Sequence, residues 1–264
     1  MKLRKLLLGT VAAGLLAMPG TASAIVSSWN YTVTANWENW TPVGDVINEI
    51  DGNDDVLRWG TPTTSGQSSL HVTNFIDSTD VIGDVYDPII TNGPGSPGAT
   101  IIHNNNPLTV GPSLESTDLR IVATFSPADG TPGAGDITRV FNITFDETLN
   151  EEPCDPRSAS VCDDIFTLLN PQALERDFTI GDGFLYTATL TFGDFTGGQI
   201  FFIDLDGDGT FDRLEFLTEE GLVSELETII SISARPIPEP GALALLGAGL
   251  AGLGFAARRR RKTA

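Results

Sequence analysis

Phe184-Leu185-Tyr186-Thr187-Ala188-Thr189-Leu190-Thr191-Phe192 decides how this chain folds. Apolar residues take the even positions, and threonines stand between them at 187, 189 and 191. A β-strand turns successive side chains to opposite faces, so this stretch buries one face and wets the other. The pattern recurs on both sides. Trp29, Tyr31, Val33 and Ala35 alternate, as do Leu119, Ile121, Ala123 and Phe125, then Phe141, Ile143 and Phe145, and finally Thr228, Ile230 and Ile232. The runs are separated by segments such as 92–98 (NGPGSPG) and 128–135 (ADGTPGAG), which cannot continue a helix or a central strand. Many short strands with Gly and Pro turns predict an all-β, antiparallel β-sandwich of jelly-roll-like type, with the two apolar faces packed together. Two short helices are expected, at Pro171 to Arg176 and Gly221 to Leu226.

The two ends read differently from this body. Lys2, Arg4 and Lys5 precede an apolar run from Leu6 to Ala17, and small residues follow at Ala22-Ser23-Ala24. That order predicts a signal peptide over residues 1–24 with cleavage after Ala24, handled by the Sec translocon and signal peptidase. At the other end Pro236-Ile237-Pro238-Glu239-Pro240 leads into the uncharged stretch Gly241 to Ala257, followed by Arg258 to Arg261 and Lys262. Seventeen residues of helix cover about 25 Å, slightly short of a hydrocarbon core, which flanking arginines accommodate. Both basic clusters belong on the cytoplasmic side, so residues 25–235 form an outward-facing ectodomain and 236–264 a transmembrane sorting helix.

Pro238, Glu239 and Pro240, the apolar run and the terminal arginine block resemble the PEP-CTERM sorting signal. The resemblance implies recognition by an exosortase in a Gram-negative bacterium that makes exopolysaccharide. It also implies cleavage near the motif and delivery to the cell surface or extracellular matrix. Within the body, Ile102-His103-Asn104-Asn105-Asn106-Pro107, with Arg58-Trp59-Gly60-Thr61-Pro62 upstream, resembles the THxN family of such proteins. His103, Asn105, Asn106 and Pro107 match, while Ile102 stands where that family has threonine. No catalytic residue follows from this resemblance. Read bottom-up, His103 and Asn105 suit loop organisation through side-chain-to-backbone bonds, with sugar or metal binding as the sharper reading.

Without its ends the chain keeps seven arginines, no lysine and 34 acidic residues, a formal charge of −27. Such a surface repels nucleic acid and attracts divalent cations, although an acidic exported proteome gives the same composition. The two cysteines, Cys154 and Cys162, enclose a short loop in an oxidising compartment, which favours a disulfide over a metal pair.

The sharpest local motif runs from Asp204 to Glu215. Asp204, Asp206, Asp208, the Thr210 carbonyl, Asp212 and Glu215 fall at positions 1, 3, 5, 7, 9 and 12 of a calcium loop, with Gly209 at the sharp turn. The preceding 197–203 (GGQIFFI) reads as a turn and a strand, so the expected setting is a loop between two strands. An acidic hairpin tip without metal is the alternative reading.

Enzyme readings are weak. The two histidines, His71 and His103, lie near no nucleophile motif, and metallohydrolase histidine clusters are absent. Carboxylate pairs can be drawn anywhere among 34 acids, so they carry little signal. Trp29, Trp37, Trp40 and Trp59 suggest a sugar shelf, but alternation assigns Trp29 to the core. The expected function is a non-enzymatic structural or adhesive protein of the surface or matrix. An exopolysaccharide-binding module and a secreted polysaccharide hydrolase are the alternatives.

Overall fold

The computed structural model describes residues 24–63, 66–73, 75–77, 87–109, 112–148, 154–160, 162–171, 174–238 and 247–252. The signal-peptide reading falls on residues 1–23, outside the described residues, as do Glu239, Pro240 and most of the apolar tail. Residues 247–252 are helical; among the described residues no helix is long and apolar enough to cross a membrane.

Sixteen strands are described. In chain order they are β1 (Ser28–Thr41), β2 (Ile47–Asp51), β3 (Asp54–Thr63), β4 (Gly66–Thr73), β5 (Phe75–Asp77), β6 (Ile89–Ile90), β7 (Ser96–Asn104) and β8 (Leu108–Thr109). Then come β9 (Ser116–Pro127), β10 (Gly135–Asp146), β11 (Asp164–Leu168), β12 (Leu174–Phe178), β13 (Phe184–Thr196), β14 (Gly198–Ile203), β15 (Arg213–Thr218) and β16 (Val223–Pro236). They form two antiparallel sheets. One runs β14-β15-β11-β10-β9-β1-β5 with β6 beside β1; the other runs β12-β13-β16-β7-β4-β3-β2 with β8 beside β3.

The expected sandwich forms because both sheets turn their alternate apolar residues inward. Trp29, Tyr31, Val33 and Ala35 of β1 meet one shared core with Leu119, Ile121, Ala123 and Phe125 of β9. The opposite sheet adds Leu70 and Val72 of β4, Tyr186, Ala188 and Leu190 of β13, and Ile230 and Ile232 of β16. Each of the Val, Leu, Ile and Phe side chains contributes about 1.5–3 kcal/mol when fully buried, which makes the register of every strand matter. Trp29, Trp37 and Trp59 are all in this core and present no face to solvent, so they form no sugar shelf. Trp40 packs partly against the same core.

Crossing between the sheets imposes one conformational demand. At Gly197 the chain leaves β13 for β14 with φ of 76°, and a Cβ there would lie 2.2 Å from the Val223 carbonyl oxygen. Only glycine satisfies both the angle and the approach.

Neither expected helix forms. Leu174–Phe178 is an edge strand, β12, paired with β13 from Leu174↔Leu190 to Phe178↔Tyr186. Edge hydrogen bonding there overrides the helical propensity of Leu174, Glu175 and Arg176. At the second site Gly221 adopts φ of 76° in a turn, and β16 starts at Val223, where it pairs with Asn104 of β7. Ser224 and Leu226 are buried and continue the period-two stripe backwards from Thr228.

Candidate functional site

Two acidic clusters stand at different places in the sandwich, and a disulfide loop lies against one of them. The first is the predicted loop, which joins β14 to β15 as a strand–loop–strand unit. Asp204 accepts hydrogen bonds from the backbone N–H of Gly207 at 2.7 Å and of Gly209 at 3.0 Å. Asp208 accepts from Thr210 N at 2.7 Å, and Asp212 from Leu205 N at 2.6 Å. These bonds coil the loop around its own carboxylates, as Asx turns do. They hold Asp204 below the usual carboxylate range, chiefly through the Gly209 N–H; the Thr210 hydroxyl does the same for Asp208. Asp204, Asp206 and Asp208 each bring one oxygen within 4.8 Å of the others, a spacing that fits a cation. Among the described residues no other group of three His, Cys, Asp or Glu side chains does so.

Glu215 is placed elsewhere. It lies on β15, where Arg157 holds one oxygen at 2.7 Å and Arg213 the other at 2.8 Å. With both oxygens committed to guanidinium groups, it is an ion-pair centre outside the group of three converging aspartates.

The second cluster was not legible as a site. It forms where the core stripes of five strands end at the same rim. On β7 the inward positions run Ala99, Ile101, His103 and on to Asn105. On β10 they run Phe141, Ile143, Phe145 and on to Glu147, while β11 opens with buried Asp164. β15 ends at buried Thr218, and β3 contributes Trp59. The stripes of β7, β10, β11 and β15 are apolar up to the rim, where they become polar, and β3 brings an indole beside them.

Thr218 knits this end together. Its hydroxyl meets His103 Nδ1 at 2.9 Å and donates to the Asp164 carbonyl at 3.3 Å. The hydroxyl has one proton for these two contacts: when it goes to the Asp164 carbonyl, His103 Nδ1 is the donor and Nε2 carries a lone pair. Asn105 donates through Nδ2 to the Thr218 carbonyl at 2.9 Å, which turns Oδ1 away from it. Trp59 lies parallel to the His103 ring at 5.9 Å and donates from Nε1 to Glu147 Oε2 at 2.6 Å. Phe145 meets both rings edge-on, each at 5.0 Å. Asp164 Oδ1 accepts from Thr148 N at 2.8 Å.

Burial dominates the electrostatics here. Desolvation pushes His103 down to about 3, so the imidazole is neutral. It pushes Glu147 up to about 7, with the Glu220 charge adding to the effect. Asp164 is raised well above its ordinary value by burial and then by the Glu147 charge.

Cys154 and Cys162 are bonded as predicted, with Cα atoms 4.7 Å apart. Their loop packs against the second cluster. Thr148 Oγ1 bonds the Cys162 carbonyl, Asp163 accepts from Ala159 N at 2.7 Å and Ser160 N at 2.9 Å, and Ser160 Oγ accepts from Glu220 N at 3.0 Å.

The remaining motif residues have structural partners. Asn106 donates from Nδ2 to the Gln67 carbonyl at 2.9 Å and from its backbone N–H to Ser68 Oγ at 3.2 Å; Pro107 is half-buried beside it. His71 is half-buried and meets Ser69 Oγ at 3.0 Å and Asn104 Nδ2 at 2.9 Å.

Residues 236–261 match the PEP-CTERM protein-sorting motif. No curated protein shows a significant match to the chain. The motif supports an exported protein that follows Sec-dependent export, passes through a membrane-anchored intermediate and is processed by an exosortase, with the surface or exterior as its destination.

Proposed function

We propose that the chain is a non-enzymatic structural or adhesive protein of the THxN type, sorted to the surface or matrix of a Gram-negative, exopolysaccharide-making bacterium. The sorting motif over residues 236–261 carries this reading. It follows directly on β16, the last strand of a sandwich whose Trp29, Trp37, Trp59, Tyr31 and Tyr186 are spent on its core. The matching residues His103 and Asn105 carry the THxN reading; both are buried, and they join the end of β7 to β15 through Thr218.

Calcium in the loop of Asp204, Asp206 and Asp208, with the Thr210 carbonyl and Asp212 completing an oxygen shell, is part of the same reading. The three converging aspartates support it. Such an ion would brace the β14–β15 hairpin against the mutual repulsion of its carboxylates. Glu215 is left out of this ligand set, because its oxygens serve Arg157 and Arg213.

Matrix fractionation tests the proposal, using strains that express the full chain or the chain lacking residues 236–264. The full chain is expected in the surface or matrix fraction and the shortened one in the periplasm or medium. Equal distribution of the two would overturn the sorting reading. A pull-down of the exported protein on native exopolysaccharide tests adhesion to that polymer.

A further inference from the structure

Buried polar atoms normally find partners, and those that do not require an explanation. In the second acidic cluster His103 Nε2, Asn105 Oδ1, Glu147 Oε1 and Asp164 Oδ2 are all buried and have no hydrogen-bond partner. His103, Asn105 and Asp164 are at least nine-tenths buried as residues, and period-two alternation sends all four side chains toward the interior of the same rim. The chemistry of the four atoms is uniform. With the Thr218 proton on the Asp164 carbonyl, His103 donates from Nδ1 and offers a lone pair at Nε2, and Asn105 spends one N–H on the Thr218 carbonyl, leaving Oδ1 as an acceptor. The two carboxyl groups add lone pairs, and negative charge once deprotonated, and Glu220 places a third carboxyl within electrostatic reach of both. Four unpartnered polar atoms therefore share one rim, and the protons that burial keeps on Asp164 and Glu147 are what a bound cation displaces. Each such group left bare costs about 1–3 kcal/mol, and more when charged. A positive centre satisfies all four at once.

We propose that His103, Asn105, Glu147 and Asp164 form a buried binding site for one divalent first-row cation of the manganese or zinc type. An imidazole nitrogen among oxygens favours such an ion over calcium, which takes oxygen ligands. The surroundings are those of a supported metal site. The opposite histidine nitrogen is held by Thr218, the far oxygen of Glu147 by Trp59 Nε1, and the far oxygen of Asp164 by Thr148 N. The four atoms are spread more widely than the three aspartates of the exposed loop, so binding draws the side chains together and tightens the rim. The ion ties β7 of one sheet to β10 and β11 of the other.

The test uses the mature exported protein carrying Asp204→Ala and Asp208→Ala, which removes the exposed loop as a competing site. The protein is stripped with a chelator and reloaded with Mn2+ alone or Zn2+ alone. One equivalent of at least one ion is expected to bind, with a rise in melting temperature. Bound Mn2+ is expected to show magnetic coupling to an imidazole nitrogen. Asp164→Asn, which keeps the side-chain volume, is expected to weaken binding by more than the roughly 10–100-fold that loss of an outer partner costs. Reading the wild-type pocket directly keeps the test decisive even if a variant misfolds. Three results would each overturn the proposal: no bound ion of either kind, bound Mn2+ without nitrogen coupling, or infrared bands showing Glu147 and Asp164 protonated and donating to His103 and Asn105 with metal supplied.

Discussion

The two acid clusters use the same side-chain chemistry to opposite electrostatic ends. In the exposed loop every key carboxylate faces a backbone N–H supplied two to seven residues away, and Asp204 and Asp208 are held below their ordinary range. At the rim, carboxylates from distant parts of the chain are enclosed by Trp59, Phe145 and the disulfide loop, and burial drives Glu147 and Asp164 upward. Solvent and local N–H groups let the loop tolerate its charge. The rim holds its charge at the expense of folding stability, which is why a compensating ion matters there and is optional in the loop.

The largest expected break of this contrast is Trp59→Ala. It removes a fully buried indole from the core and the N–H that anchors Glu147, and it should cost about 3–5 kcal/mol in urea unfolding. The second is a pH dependence in chelated protein. Glu147 titrates at about 7 when folded and near 4.5 when unfolded. The folded chain thus keeps a proton that the unfolded chain has released between those values. Stability should fall as pH rises through that window, by roughly 3 kcal/mol relative to Glu147→Gln. His103, lowered to about 3, contributes the opposite slope as pH falls below 6.5, but it does so in both proteins and cancels from the comparison. Unfolding midpoints of the two proteins at pH 4.5 and 7 read the difference.

Third, reducing the Cys154–Cys162 bond opens an eight-residue separation and should cost about 2.5 kcal/mol by the chain-entropy relation, measured as a fall in melting temperature. The cover of the rim loosens with it, so rim-bound metal should exchange faster in reduced protein. The smallest effect belongs to the loop. Asp204→Ala with Asp208→Ala should leave the melting temperature of chelated protein unchanged while abolishing the rise that calcium gives to wild type. A wild type that melts identically in calcium and in chelator would sink the loop as a metal site.

This contrast also explains what could be read in advance. The strands were legible because period-two alternation is local, and Trp29, Leu119, Phe141 and Tyr186 each sit inward as their neighbours dictate. The Asp204 loop was legible as a turn between two strands because its carboxylate spacing lies within twelve residues. Glu147 and Asp164 were not, because among 34 acids nothing in their immediate neighbours marks them. Their partners His103 and Thr218 lie tens of residues away, brought alongside only by the crossing of two sheets. One signal was present but unused: the stripes Ala99, Ile101, His103, Asn105 and Phe141, Ile143, Phe145, Glu147 run on into polar residues without changing phase. The misplaced helix at Pro171 to Arg176 failed for a related reason, since the hydrogen bonds that make β12 a strand come from β13 and not from its own sequence.

The position of β16 has a mechanical consequence. It is hydrogen-bonded to β13 on one side and β7 on the other, its pairing with β13 reaches Pro236↔Phe184, and Ile237 N bonds the Gly183 carbonyl just beyond. The sorting motif begins where this strand ends. A pull on the tail therefore loads β16 lengthwise, in shear, against two neighbours at once. Its ladder must give way collectively rather than peel one bond at a time, so a tug from the tether reaches the middle of a sheet and not a frayed edge.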